Sequence, residues 1–447
     1  MTDSRQPVVV SRRTSRRGFL KASAAGAAAL PLGAAVLAGC GKGAAPAAGD
    51  TQGASAAPPL PDSILKLQPV TSQIVPITKA ERQQRMARAQ ALMAANKLDA
   101  IFMRGGSSLT YFTGMHWFNS ERTMGMVLPK QGDPIYVTPA FERNRALEQI
   151  EFGHDIRVWQ ENESPYERIA EILADLHASS GTVGIEEQVP FFMSQGIGEA
   201  AGRARLVSAT PVTAGCRSVK SAAELALMQI ANNATLAVYH AVWQGLQPGM
   251  TQQQVLAWVA AAYHRLGLQG EASINVGKYT ALPHGSIEPQ QIVEGTVVML
   301  DDGCFVEGYQ SDITRTFVLG KATDKMKQVF AIVQRAQRAA LAAARPGAEM
   351  QSVDAAARKV ITDAGYGPDY KHFSHRLGHG IGLDMHEWYY LVQGNTRPIA
   401  VGNSFSDEPG IYIVGEFGVR LEDDMHIAAD GAHWFTPQSP SIEQPFG

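Results

Sequence analysis

The residues best suited to chemistry lie in the C-terminal half of the chain. Val297-Val298-Met299-Leu300 is an apolar run ending at Asp301, and Ser311-Asp312-Ile313-Thr314-Arg315-Thr316-Phe317 returns as a second strand-like run after Gly303 and Gly308. A hairpin centred between Val306 and Glu307 sets Asp301 opposite Asp312, where Cβ atoms are about 4.5–5.5 Å apart. Two carboxylates held that close on apolar strands repel, unless a proton or a cation sits between them. A solvated acidic turn is the simpler alternative, but it gives no reason for Asp312 to lie beside Ile313 and Phe317.

The pattern recurs downstream. Glu408 precedes Pro409-Gly410-Ile411-Tyr412-Ile413, a turn follows at Gly415-Glu416, and Gly418-Val419-Arg420-Leu421-Glu422 returns, so Glu408 approaches Glu422. Between the hairpins lie His375, His379 and His386, spaced by glycines that let imidazoles approach a site without bulky neighbours. A lone histidine is usually structural; this cluster is not alone. Two Asp, two Glu and one His make a carboxylate-rich set for two metals. Such ligands suit Mn(II), Fe(II) or Co(II), with Zn as a further option, whereas Ca rarely takes imidazole. Trp388-Tyr389-Tyr390 reads equally as the wall of a hydrophobic subsite or as core.

Positioning these residues requires a sizeable scaffold. Thr78-x-x-Glu81 is a capping box opening an amphipathic helix to about Asn96. Ala100 to Met103, Leu109 to Phe112, Met124 to Leu128 and Ile135 to Val137 read as strands, and an α/β domain ends near Gly215. Ser221-x-x-Glu224 is a second capping box, opening a helix towards Gln244. Further helices are expected at about Gln252 to Leu266, Lys325 to Ala344 and Gln351 to Ala364.

The 447 residues, 45% hydrophobic and 18% charged, have room for two or three domains. A net charge of -3 argues against nucleic acid as a partner, which needs a basic face. Three cysteines cannot build a disulfide framework. Ser15-Arg16-Arg17-Gly18-Phe19-Leu20-Lys21, followed by an Ala/Gly/Leu stretch, resembles a twin-arginine signal. Leu37-Ala38-Gly39-Cys40 resembles a lipobox, which makes Cys40 the lipidated N-terminus of an exported, periplasmic or membrane-anchored protein. The expected organisation is a signal at 1–39, a flexible Ala/Gly/Pro tether at 40–76, an N-terminal domain at 77–215 and a catalytic domain at 216–447.

From Ser221 onwards the chain resembles the pita-bread metallopeptidases, the family of prolidase, Xaa-Pro aminopeptidase and methionine aminopeptidase. The motifs are Asp301-x-Gly303 with Gly308-Tyr309-x-Ser311-Asp312, the His375/His379/His386 stretch, Glu408-Pro409-Gly410, and Arg420-Leu421-Glu422-Asp423. Residues from Thr78 to Gly215 resemble the N-terminal domain of the creatinase/prolidase branch, including Tyr111-Phe112-Thr113-Gly114. The resemblance implies an α+β protein, with a pita-bread domain preceded by a smaller α/β domain. It further implies that Asp301, Asp312, His379, Glu408 and Glu422 ligate two divalent metals, Mn(II) first among them, with Asp312 and Glu422 bridging. A metal-bridging hydroxide would attack an Xaa-Pro bond, with Glu408 shuttling the proton. His284, His375 and His386 would flank the peptide, and Arg420 would orient ligands.

A homodimer is implied as well, and two aromatics, Trp117 and Phe118, either fill the core or cross its interface. Trp388 is the candidate wall of a subsite, and Arg397 the candidate holder of a free peptide carboxylate. Departures from the pattern are Gly270, where an aromatic is usual, Tyr279 in place of Asn, and Gly285 after His284. They keep open a related reaction on a small amide or osmolyte, and behind it a non-catalytic binding lipoprotein.

Overall fold

The computed structural model describes residues 59–447; the twin-arginine segment and Cys40 lie outside them. Thr78 opens the Lys79–Ala95 helix, its hydroxyl accepting the Glu81 N–H at 3.2 Å. Glu81 does not complete the box. Its carboxylate instead accepts from Arg85 at 2.8 Å and Ser221 at 2.6 Å, tying this helix to the start of the next domain.

A six-stranded mixed sheet follows, in the order Ile156–Trp159, Ile135–Pro139, Gly125–Pro129, Ala100–Arg104, Thr182–Ile185 and Arg205–Ser208. The central Ala100–Arg104 strand is buried on both faces from Ala100 to Met103, so that run is apolar and not alternating. Ile101 and Met103 share one core with Met86 and Met93 of the first long helix. Ala100 and Phe102 share the other with Ile169, Leu173 and Ile197 of the helices Pro165–Asp175 and Phe191–Ala201.

The run Leu109 to Phe112, expected as a strand, is part of a helix, Ser107–Thr113. A run of four residues, three of them apolar, carries no period of its own. Gly106 (φ 125°) and Gly114 (φ 80°) bound the helix, the latter as a left-handed C-cap. The later part of the expected 40–76 tether is folded onto the body. Residues 62–65 form a helical turn with Ile64 buried, the Ser63 hydroxyl donates to Ala241 O at 2.6 Å, and the Val70 N–H donates to Leu266 O at 3.0 Å.

In the C-terminal part, the helices Ala222–Gly245 and Gln252–Leu266 both begin with complete capping boxes. With Asp324–Ala343 and Met350–Ile361 they flank short antiparallel sheets. Ser273–Val276, Val297–Asp301 and Arg315–Val318 form one sheet. Another runs Glu387–Leu391, Gly378–Gly380, Ser404–Asp407, Asp423–Ala428 and Gly431–Trp434, and Gly410–Ile413 pairs with Phe417–Arg420 as a separate hairpin.

The register of the first hairpin differs from expectation. Leu300 pairs with Arg315, and Val306 with Tyr309. The two-residue turn is Glu307-Gly308, both at positive φ (51° and 84°), as a hairpin of this twist requires. The register is thus displaced by two residues, and Asp301 faces Thr314, not Asp312. In the second hairpin Gly410 pairs with Arg420, and this register carried outward sets Glu408 opposite Glu422.

Gly270 also differs from expectation. It pairs with Cys304, and a Cβ there would lie 2.7 Å from the Cys304 Cβ, 2.7 Å from a Tyr263 ring carbon and 2.8 Å from Gly303 O. As this chain is packed, the neighbouring strand leaves no room for an aromatic side chain at Gly270.

Candidate metal centre

The strand ends deliver their carboxylates to one place. Asp301, Asp312 and Glu422 form one group, and His379, Glu408 and Glu422 a second, each offering ligand atoms within 4.8 Å of one another. A third group joins Asp312 and His379 to His386. All five residues expected as ligands are brought together, with Asp312, His379 and Glu422 each common to two groups. His379 Nδ1 lies 3.1 Å from Gly380 O and donates to it, which fixes the tautomer. The lone pair on Nε2 therefore faces Asp312 Oδ2 at 3.6 Å and Glu408 Oε1 at 3.5 Å.

Those separations are too long for hydrogen bonds and leave space for a cation between the atoms. Burial drives Asp312 well above the usual carboxylate range, and Asp301, Asp424 and Glu408 push it further. Glu422 is raised for the same reason, burial first and then Asp312 and Glu408. Burial pushes Glu408 up to about 7, with Arg420 opposing and Asp301 reinforcing. Glu422 Oε1 is buried with no hydrogen-bond partner. Carboxylates repelling one another around a neutral imidazole, one of them with an orphaned oxygen, fit a divalent metal centre.

Arg420 orients this set. Its Nη2 donates to Asp301 Oδ2, Nε to the Thr314 hydroxyl at 2.9 Å, and Nη1 to Pro283 O at 3.0 Å and the Tyr412 hydroxyl at 3.1 Å. Tyr412 in turn lies 2.7 Å from His375 Nε2. Thr314 Oγ1 stands 2.5 Å from Asp301 Oδ1 and 2.6 Å from Glu422 Oε2. Sequence reasoning gave neither Thr314 nor Tyr412 a role. The available signal was that Thr314, two residues after Asp312 on a strand, shares its face.

A cavity of about 540 Å³ opens over the carboxylates, with His284, His375, His386 and Arg376 in its wall. Burial lowers His375 to about 3, with Arg420 acting in the same direction, so its imidazole is neutral. Trp388 lies outside this wall. It borders a much smaller cavity, of about 30 Å³, that shares His386, and its ring packs edge-on to Tyr390. Arg397 reaches neither cavity. It is exposed and stacks on Tyr389 at 3.7 Å, so this arrangement gives it no contact with a peptide in the cavity. Trp117 is half-buried against the core beneath Arg145, while Phe118 is 86% exposed.

The glycines around His379 serve packing more than imidazole access. A Cβ on Gly378 would sit 2.0 Å from Ser406 O, and one on Gly380 2.9 Å from Glu387 O.

Comparison with known proteins places this arrangement. Residues 226–429 match the model of metallopeptidase family M24, and residues 85–219 the creatinase/prolidase N-terminal domain. The Xaa-Pro dipeptidase of Lactobacillus delbrueckii subsp. lactis is 30% identical over 374 residues, 80% of this chain and 97% of that protein. The crystal structure of dipeptidase PepE from Mycobacterium ulcerans superposes with a TM-score of 0.77 at 32% identity, covering 83% of this chain and 99% of that one. A prolidase from Thermococcus sibiricus gives 0.73 at 28%, covering 79% and 96%. With the fold, the motifs and the relatives in agreement, the chain belongs to metallopeptidase family M24, a creatinase/prolidase N-terminal domain preceding a pita-bread catalytic domain.

Proposed function

We propose that this protein hydrolyses Xaa-Pro bonds, dipeptides before longer peptides, with two divalent ions held by Asp301, Asp312, His379, Glu408 and Glu422. The carrying observation is the group of buried carboxylates around the neutral His379, closed by too little positive charge of the protein's own. Asp312 and Glu422, which share one ligand group with Asp301, would be the carboxylates shared by the two ions. Mn(II) is the first choice, with Co, Fe or Zn able to take the same donors. When bound, such a pair lowers the pKa of a shared water and polarises the scissile carbonyl.

The chain's own groups supply the rest. Glu408, at the cavity floor, takes a proton from the attacking water and returns it to the departing proline nitrogen. His284, His375 and His386 orient the peptide from the cavity wall. Arg420, bonded to Asp301 and Thr314, keeps the ligand oxygens aimed inward. The protein is proposed to be exported by the twin-arginine route, anchored through Cys40, and homodimeric.

Xaa-Pro dipeptides, Xaa-Pro-Yaa tripeptides and small amides, assayed side by side with Mn(II), Co(II) or Zn(II) added, test the reading. Turnover is expected on the dipeptides first and to depend on added metal. Turnover confined to the small amides, or none in metal-loaded protein, would overturn it.

A further inference from the structure

His386 is poorly held by its own side chain. Its hydrogen bond is a 3.4 Å contact with Arg376 Nη2, and its ring lies against His379 with centroids 3.9 Å apart. Its place in the cavity is therefore set by the backbone of residues 381–387.

That backbone is strapped to Ser107 and Gln188 of the N-terminal domain and to Arg217 and Lys220 where the two domains join. Glu387, 4% exposed, accepts the N–H groups of Leu383 at 3.0 Å and Asp384 at 3.4 Å. It also takes Lys220 Nζ at 2.7 Å and Arg217 Nη2. Arg217 Nη2 reaches Asp384 Oδ2 as well, at 2.7 Å, where Gln188 Nε2 joins at 2.9 Å, and the Ser107 hydroxyl donates to Oδ1. The Ser108 hydroxyl accepts Arg217 Nη1 at 3.2 Å. Two carboxylates meet two cations in a tightly bonded cluster, and Ser108 also donates to a third carboxylate, Glu186, at 2.8 Å. Gly382 permits the approach, since a Cβ there would lie 2.8 Å from both Glu387 Oε2 and Lys220 Cε.

Ser107, Gln188 and Arg217 stand outside the wall of the large cavity. The small cavity beside Arg217 and Trp388 does reach His386, so the imidazole has space to shift into.

We infer that Arg217, acting through Asp384 and Glu387, is a positioning residue for His386, so that the N-terminal domain sets how the catalytic domain grips its peptide. This rests on the reading of His386 as a peptide-orienting group. Displacing such a group by about 1 Å costs up to a hundredfold in rate.

The test is a double-mutant cycle on the metal-loaded protein, reading KM, kcat and metal content with an Xaa-Pro dipeptide. Arg217→Ala is expected to raise KM about tenfold or more, with kcat changed much less and metal content unchanged. In a His386→Ala background the same substitution is expected to add nothing. Asp384→Asn, which keeps its size and sits at a more exposed place, repeats the test if Arg217→Ala does not fold. An effect of His386→Ala with none from either strap variant, or effects that multiply in the double variant, would overturn the proposal alone. An unchanged KM in His386→Ala would overturn the reading of His386, and the proposal with it.

Discussion

This chain buries two kinds of acidic cluster, and they behave in opposite ways. In the strap, Glu387 is enclosed between Arg217 and Lys220, and those cations hold it down at about 2 despite burial. Beneath the catalytic strands, Asp423 pairs with Arg315 at 2.6 Å, both 0% exposed, with Thr436 and Gln337 completing its bonds. At the centre the balance fails. Arg420 bonds Asp301 and stands 3.9 Å from Glu422, leaving Asp312 and Glu408 to face other carboxylates and an uncharged His379. Burial is common to both clusters, and it raises even Asp423 beside Arg315; the centre differs in that several carboxylates with too little countercharge converge on one imidazole.

The largest way to break this comparison is Asp312→Asn. Activity on Xaa-Pro dipeptides is expected to fall to background and metal content to drop, because an amide cannot bridge two cations. The metal-free variant should nevertheless melt above the metal-free wild type, having lost one repelling charge. Calorimetry with and without chelator checks this. In the wild type, metal at a hundred times its dissociation constant adds about 2.7 kcal/mol, a gain the variant should lack. A metal-free variant that melts lower would mean that Asp312 is paired in a way this comparison denies.

Arg315→Met makes the opposite experiment on the scaffold. Removing one member of a fully buried pair leaves Asp423 uncompensated, and a loss of about 3–5 kcal/mol is expected in denaturant unfolding.

Glu186 sharpens the comparison with a smaller effect. It lies close to the strap but is pushed up to about 7 by burial and by Glu187, with the Ser108 hydroxyl opposing. A carboxyl raised in the folded state favours folding below its ordinary value of 4.5, and that contribution is lost as pH rises through about 7. Glu186→Gln is therefore expected to stabilise the protein at pH 8 by on the order of 2 kcal/mol. The gain should vanish by pH 4. A constant gain across that range would show that Glu186 does not titrate as its surroundings imply.

Much of this was legible in the sequence. The capping box at Ser221 and the helix Gln252–Leu266 were readable because caps and periodicity are local. The second hairpin was readable too, since Gly415 (φ 87°) marks its turn and the strands pair evenly around it. The first hairpin misled because a glutamate, Glu307, holds one of its two positive-φ positions, which the residue type does not advertise. Gly270 and Arg397 misled for a different reason. What surrounds them, the Gly303–Cys304 backbone in one case and the Tyr389 ring in the other, comes from elements that sequence spacing cannot bring together. The same holds for the strap, whose partners Ser107, Gln188 and Asp384 are distant along the chain and were never grouped.

The early packing of residues 59–76 limits how far the enzyme can stand from a membrane. Ile64 and the Ser63–Ala241 bond fix the chain onto the folded body. Between the proposed anchor at Cys40 and this fixed segment the sequence has only residues 41–58. Even fully drawn out, that number of residues spans on the order of 60 Å. Anchored through Cys40 as proposed, the enzyme would stay in a thin layer next to the bilayer, and the peptides it met first would be those already at the surface.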